Sequence, residues 1–292
     1  MQEESSLAAV MGAEGPTWGV VLGGDALAPG SATRGAPPTL LDLVRSDDPD
    51  RWIAAAREHE ASPFDVRQVL PPIPAGAVEM IAIGLNYQEH ADESREHTGV
   101  VDRPAAPVVF GKASSSIIGP YADVVIDPAV TPDVDWEVEL AVIIGRPGRD
   151  IQPEDALGHV FGYTIGNDLS ARDIQFGPGG QWYLGKSFDG FCPLGPVVVR
   201  PPMGDFGARS LRLQVNGEPK QAATTSDLIF SITELIVHLS RARTLLAGTV
   251  ILSGTPAGVG FTRTPPERLA DGDVVEAEIE GIGKLVNRIV MR

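Results

Sequence analysis

One cysteine in 292 residues, Cys192, leaves no intramolecular disulfide to form, so the chain is expected in a reducing compartment. Basic residues are scarce, 23 against 39 acidic ones, for a net charge of −16. A nucleic-acid partner is thereby disfavoured, because its phosphates would be repelled; the acidity serves solubility and says little about substrate. No uninterrupted apolar run approaches the ~20 residues of a membrane helix. The start, Met1-Gln2-Glu3-Glu4-Ser5-Ser6, is acidic and is followed by no long apolar core of the secretory kind. A soluble, cytoplasmic protein is expected. Repeats and low-complexity segments are lacking too. What remains is ordinary for a globular chain, 43% hydrophobic and 21% charged, and long enough for a large core.

The stretch Asp135-Trp-Glu137-Val-Glu139-Leu-Ala-Val-Ile-Ile-Gly145 reads as a buried strand. Alternation puts Asp135, Glu137, Glu139, Ala141 and Ile143 on one face, apolar at its far end. Two carboxylates at ~4 Å and an effective dielectric near 20 repel by roughly 4 kcal/mol. Protonation of one group or a bound cation would relieve that, unless the acidic end simply faces water.

Upstream, residues 17–28 read as strand, Gly-Gly-Asp turn and strand, followed by short helices over 39–45 and 52–60. Pro71-Pro72-Ile73-Pro74 interrupts regular structure, and the chain divides there into a small accessory domain, 1–75, and a larger one, 76–292. Met80 to Leu85 is a buried strand with Asn86 as cap for a polar helix to His97. On that helix His90 and Glu93 share a face, either as a carboxylate-supported base or as an incidental exposed pair. Phe161 to Gly166 is another strand. Asp168 just beyond its end is either a presented functional group or a helix cap acting through Arg172, and Arg172 and Gln175 are spaced to face one anion.

Gly180-Gln-Trp-Tyr-Leu-Gly185-Lys186-Ser187 matches the pattern of a phosphate loop. It is rejected, because Trp182-Tyr183-Leu184 is bulky and strand-like and no helix can run through Phe188-Asp-Gly-Phe-Cys-Pro193. Lys186 then reads either as a surface lysine or, given its aromatic flanks, as a partly buried one that needs an anionic partner. Asn216-Gly217 marks a hairpin, 231–246 an amphipathic helix, and Val250 to Gly260 a strand ending in a glycine-rich turn that carries Thr255. The fold class is α+β, strand-rich with peripheral helices, a sandwich or roll.

Several segments together resemble the fumarylacetoacetate hydrolase family: Gly84-Leu-Asn-Tyr-Gln-Glu-His90-Ala-Asp-Glu93, Phe110-Gly-Lys, Asp135-Trp-Glu-Val-Glu139-Leu, Gly166-Asn-Asp168-Leu-Ser-Ala-Arg172-Asp-Ile-Gln175, Tyr183-Leu-Gly-Lys186-Ser-Phe-Asp, Val215-Asn-Gly217 and Leu252-Ser-Gly-Thr255-Pro-Ala-Gly-Val-Gly260. They follow the family's order across 76–292, and the N-terminal segment resembles the small α/β domain many members carry. The resemblance implies a mixed β-sandwich roll, usually a homodimer, with Mg²⁺ or Mn²⁺ held by Glu137, Glu139 and Asp168. It implies a water-activating dyad, His90 and Glu93, a substrate-facing Lys186, and Arg172, Gln175 and Thr255 holding the oxygens of a small 2-oxo acid.

The activity implied first is hydrolysis of the C–C bond of an acylpyruvate through a metal-bound enolate. Decarboxylation of an oxaloacetate-like β-keto acid, or isomerisation of an unsaturated 2-oxo dioate, is the alternative on the same site. A catalytically silent metal-binding dimer is the rival from another class. Fumarylacetoacetase itself carries a further aspartate ligand where this chain has Asn86, a departure that favours the acylpyruvase and isomerase relatives. Substrate choice is expected from the segment 92–101.

Overall fold

The computed structural model describes residues 4–23, 26–95 and 104–292. The architecture is α+β, dominated by two sheets. The larger holds 12 strands, and its path runs from Ser62–Pro63 through Ala26–Pro29, Gly15–Leu22, Ser5–Gly12, Cys192–Arg200, Val160–Asn167, Val138–Ile144, Val250–Leu252 and Met80–Gly84 to Val108–Gly111. The smaller has five strands, in the order Glu218–Thr224, Ser210–Val215, Val274–Ile279, Gly283–Met291, Val124–Ile126. Residues of both sheets meet in one hydrophobic cluster, in which Val138, Leu140 and Val142 join Leu211, Leu213, Val275 and Ala277.

The alternate residues Ala141 and Ile143 face the other way, into a second cluster with Leu7, Trp18, Leu40, Ile53 and Val198. Val138–Ile144 is therefore buried on both faces, which is why it reads as an almost unbroken apolar run. The second cluster also ties in the N-terminal segment. Ser5–Gly12 pairs antiparallel with Cys192–Arg200, Leu7 opposite Val198, so the large sheet continues without a break into residues 1–75.

Several elements differ from their sequence patterns, each for a local reason. The acidic run is not one strand: Val134–Asp135 pairs with Ser170–Ala171, and the long strand begins only at Val138. Between them the Glu137 N–H donates to the Asn167 side chain and the Val138 N–H to Gln221, so side chains replace the ladder at the break. The second N-terminal helix is Pro49–Arg57, starting earlier than 52 because Asp48 caps it and Pro49 suits the first turn. Residues 24–25 of the Gly-Gly-Asp turn lie outside the described residues, but the strands on either side pair as expected.

Asn86 does not cap the next helix, Gln88–Glu93. Its amide instead donates to the carbonyls of Phe230 and Ser253 and accepts the Phe230 N–H, stapling three chain segments. Trp182–Gly185 is a short helix rather than strand-like. It packs so closely on Arg172–Gln175 that a Cβ at Gly185 would lie 2.8 Å from the Gln175 nitrogen. The last long helix stops at Leu239, since Ala242 is left-handed (φ 55°) and Thr244–Leu245 turns into a strand against Gly148–Arg149.

Candidate active site

Every residue proposed for the site comes from 76–292, at the end of the large sheet where the central strands stop. Glu139 sits on Val138–Ile144 opposite Gly166, and its Oε2 accepts the Gly254 N–H at 2.6 Å. Gly254 has φ +105°, and a Cβ there would lie 2.7 Å from Asn86 Cβ, so only glycine lets the backbone approach Glu139 this closely. Glu137 occupies the break before that strand, its carbonyl accepting the Asp168 N–H at 2.8 Å. Asp168 follows the strand Val160–Asn167. Ligand oxygens of Glu137, Glu139 and Asp168 lie within 4.8 Å of one another. None of them faces water; Glu137, the most accessible, is 4% exposed.

Cations converge on this triad. Lys186 Nζ lies 2.7 Å from Glu137 Oε2 and 2.8 Å from Asp168 Oδ2. Arg172 donates Nη2 to Glu137 Oε1 at 2.6 Å, Nε to Asp135 Oδ1 at 2.7 Å and Nη1 to Gln175 Oε1 at 2.8 Å. Lys112 Nζ approaches Asp168 Oδ1 at 2.8 Å as an ion pair without hydrogen-bond alignment, and donates to the Lys186 carbonyl. Thr255 Oγ1 donates to the Val138 carbonyl at 3.0 Å and accepts from Gln221 Nε2 at 2.8 Å.

The electrostatics sort these groups. Burial pushes Glu137 upward, but the Lys186 ammonium and the Arg172 guanidinium overrule it and hold the carboxyl at about 2. Glu139 gains no such rescue: burial, then the negative charges of Asp168 and Glu137, push it well above the ordinary carboxylate range. Burial likewise raises Asp135 to about 6 in spite of Arg172. For Lys186 burial works downward and loses to Asp168 and Glu137, so its ammonium is held above the usual lysine value.

Four buried carboxylates (Asp135, Glu137, Glu139, Asp168) thus face three buried cations (Lys112, Arg172, Lys186), and Glu139 is the carboxyl that burial and its neighbours push hardest toward its protonated form. At 4.8 Å or less and an effective dielectric near 20, each carboxylate pair repels by roughly 3.5 kcal/mol or more. A set of anionic oxygens this close, one charge short of compensation, fits a hard divalent cation of the Mg²⁺ or Mn²⁺ type.

Facing the triad is the helix Gln88–Glu93. His90 Nδ1 lies 2.8 Å from Glu93 Oε1, and His90 is buried while Glu93 is partly exposed. A carboxylate only accepts, so with Nδ1 donating to Glu93 the Nε2 atom keeps a free lone pair. The two groups flank a pocket lined by His90, Glu137, Glu139, Arg172, Lys186 and Thr255, with Gln175 and an aromatic wall that includes Phe110, Trp182 and Phe261. Glu93 stands behind His90, and Asp168 behind Lys186.

All nine residues singled out in the sequence therefore gather at one place. Arg172 and Gln175 do so differently from their pattern: the anions Arg172 faces here are the chain's own Asp135 and Glu137, and Gln175 holds the guanidinium from the side. Asp135 stays outside the triad, with Oδ1 accepting from Arg172 and Oδ2 from the Phe261 N–H. Sequence reasoning passed over Lys112 and Gln221. Lys112 stood in the matched segment Phe110-Gly-Lys, whereas Gln221 carried no signal, since it acts from the other sheet.

Residues 79–290 match the family model described as fumarylacetoacetate (FAA) hydrolase C-terminal. The chain belongs to the fumarylacetoacetate hydrolase family. Among its relatives is a protein named oxaloacetate tautomerase FAHD2A, mitochondrial, from Bos taurus, 44% identical over 214 residues. That match takes in 73% of this chain and 66% of the relative, so the chain spans just under two thirds of that protein's length. A fumarylacetoacetate hydrolase structure from the psychrophile Exiguobacterium antarcticum superposes with a TM-score of 0.84 at 36% identity, covering 99% of this chain and all of that one. The structure of maleylpyruvate hydrolase from Sphingobium sp. SYK-6, in complex with manganese(II) and pyruvate, superposes with a TM-score of 0.77 at 28% identity, over 98% and 99% of the two chains. Among the described residues no helix is long and apolar enough to cross a membrane.

Proposed function

We propose that this protein is a divalent-metal-dependent enzyme that forms and consumes the enol of small 2-oxo acids. The observation that carries the proposal is one pocket lined by His90, which Glu93 backs, and by the buried carboxylates Glu137 and Glu139, with an Asp168 oxygen within 4.8 Å of both. The three carboxylates would hold Mg²⁺ or Mn²⁺. When bound, such an ion supplies Lewis-acid polarisation of a 2-oxo carboxylate.

The chain's own residues supply the rest. His90 Nε2 takes a proton, from C3 of the substrate or from a water, while Glu93 balances the imidazolium that results. Lys186 and Arg172 place positive charge where an enolate oxygen and a carboxylate would lie, in a site too buried for water to screen them. Thr255, held by Gln221 and the Val138 carbonyl, presents its remaining lone pair at the pocket wall. Phe110, Trp182 and Phe261 line the same pocket and give it an apolar wall.

Three reactions use this equipment. Keto–enol conversion of oxaloacetate needs only a proton moved between C3 and the C2 oxygen, and similarity to the tautomerase favours it. Hydrolysis of an acylpyruvate C–C bond uses His90 to activate water, with the pyruvate enolate leaving; the buried, carboxylate-supported histidine favours that reading, as does the likeness to the maleylpyruvate hydrolase. Decarboxylation of oxaloacetate passes through the same enolate. Assays of enol-oxaloacetate decay, oxaloacetate decarboxylation and acylpyruvate cleavage, each with Mg²⁺ and with chelator, distinguish them. Turnover of none of these substrates with the metal present would sink the proposal.

We place the protein in the cytoplasm, where a single buried thiol is at home, and propose a homodimer as the family resemblance implies. Light scattering should give twice the 30.8 kDa chain mass, and a particle of one chain would contradict it.

A further inference from the structure

Glu93 is gripped by more than its histidine. Its carboxylate accepts the Gly258 N–H at 3.0 and 3.2 Å, and its Oε2 lies 3.2 Å from the Thr262 hydroxyl, whose single proton is shared with the Val259 carbonyl at 3.2 Å, while Oε1 faces His90. Gly258 and Thr262 belong to one turn, 258–262. From the same turn the Phe261 N–H reaches Asp135 Oδ2 at 2.9 Å, and the Phe261 ring lies 4.2 Å below the Arg172 guanidinium. Five residues thus hold both the helix that carries the dyad and the Asp135–Arg172–Glu137 chain beside the triad.

The turn is fixed in its own right. Arg263 Nη2 donates to the carbonyls of Gly258 and Lys220, the Glu267 N–H donates to the Gly260 carbonyl, and Gly258 itself sits at φ +104° with no room for a side chain, since a Cβ would lie 2.1 Å from the Lys220 oxygen. Gly258 alone would not orient Glu93, because one N–H shared between two oxygens leaves the carboxylate free to pivot about it. Thr262 removes that freedom. It engages Oε2 from a second direction, and Oε1 is then the oxygen presented to His90.

We propose that Thr262 is a positioning residue of the dyad: by fixing the rotation of Glu93 on the 258–262 turn, it keeps His90 Nδ1 partnered and Nε2 aimed across the pocket. The catalytic half of this inference rests on the reading of His90 as the base; the structural half does not. The test uses the full chain with Mg²⁺, comparing wild type with Thr262→Val, which keeps the shape and deletes the hydroxyl, and Thr262→Ser, which restores it. Thr262→Ala repeats the comparison should valine crowd the turn.

Backbone amide exchange over 88–94 is expected to quicken about tenfold in the valine variant. On whichever 2-oxo acid the wild type turns over, kcat falls about ten- to hundredfold, the worth of one hydrogen bond to a charged group. KM stays within about twofold, as for an interaction that matters only in the transition state. Serine returns both quantities to wild type. Unchanged exchange in the valine variant overturns the inference whatever the turnover, and so does faster exchange with undiminished kcat. A wild type that turns over no 2-oxo acid overturns the proposed function instead, and the exchange measurement still decides whether Thr262 positions Glu93.

Discussion

Lys186 is the group whose removal the structure makes most consequential. Its ammonium lies 2.7 Å from Glu137 and 2.8 Å from Asp168, with all three side chains at most 5% exposed. Lys186→Met keeps the aliphatic stem and deletes the charge, leaving four buried carboxylates against two cations. Deleting one partner of a buried ion pair costs about 3–5 kcal/mol, because the other is left buried and uncompensated. For a chain of this size that is roughly 2 °C of melting temperature per kcal/mol, so a drop of roughly 6–10 °C is expected in chelator near neutral pH.

The pH dependence has a definite sign. In wild type Glu137 is held down at about 2, so it contributes stability above its ordinary value, lost as pH falls through its folded one. In the variant the upward push of burial is no longer opposed by Lys186, so that contribution shrinks and the carboxyl takes up its proton at higher pH. The gap between the two proteins should therefore narrow as pH falls to about 5 and below. Added Mg²⁺ should stabilise the variant more than the wild type, since the ion compensates the same carboxylates with no ammonium to displace. Calorimetric melting with and without chelator reads all three quantities. A methionine variant that melts within about 1 °C of wild type in chelator would refute the charge balance drawn here.

Two further outcomes follow from single groups. Glu139→Gln should keep the fold, as it also relieves a buried charge, yet weaken Mn²⁺ binding by at least about tenfold in calorimetry, the worth of one lost anionic ligand; unchanged affinity removes Glu139 from the triad. Cys192 is buried with its thiol pushed up to about 12 by burial, so the native protein should resist alkylation at neutral pH and label fully in denaturant; rapid native labelling would contradict its placement.

The sequence is most readable where structure is local. Alternation and turn chemistry located the strands Met80–Gly84 and Val160–Asn167, and the Asn216-Gly217 hairpin with both turn residues at positive φ. It failed where a distant side chain decides. The break at Trp136–Glu137 depends on Asn167 and on Gln221, 30 and 83 residues away along the hydrogen bonds they make, and no local pattern encodes either. Trp182-Tyr183-Leu184 has strand-like side chains, but the fit of Gly185 against Gln175 turns it into a helix.

For the site, residue types and their order picked out the carboxylates, the dyad and Lys186, while the partners remained hidden. Asp135 looked superfluous once Glu137 and Glu139 were singled out, and only burial beside Arg172 explains its carboxylate. Of the segment 92–101, from which substrate choice was expected, the part beyond Arg95 lies outside the described residues.

Whether this pocket makes enols is tested most directly with a substrate that can be neither cleaved nor decarboxylated to the same end. Pyruvate in D₂O, with Mg²⁺, should exchange its C3 protons for deuterium in the presence of the wild-type protein, as followed by proton NMR. The account predicts that chelator abolishes the exchange and that His90→Ala slows it by about 10²- to 10⁴-fold. Exchange no faster than in buffer, or equally fast in His90→Ala, would contradict it.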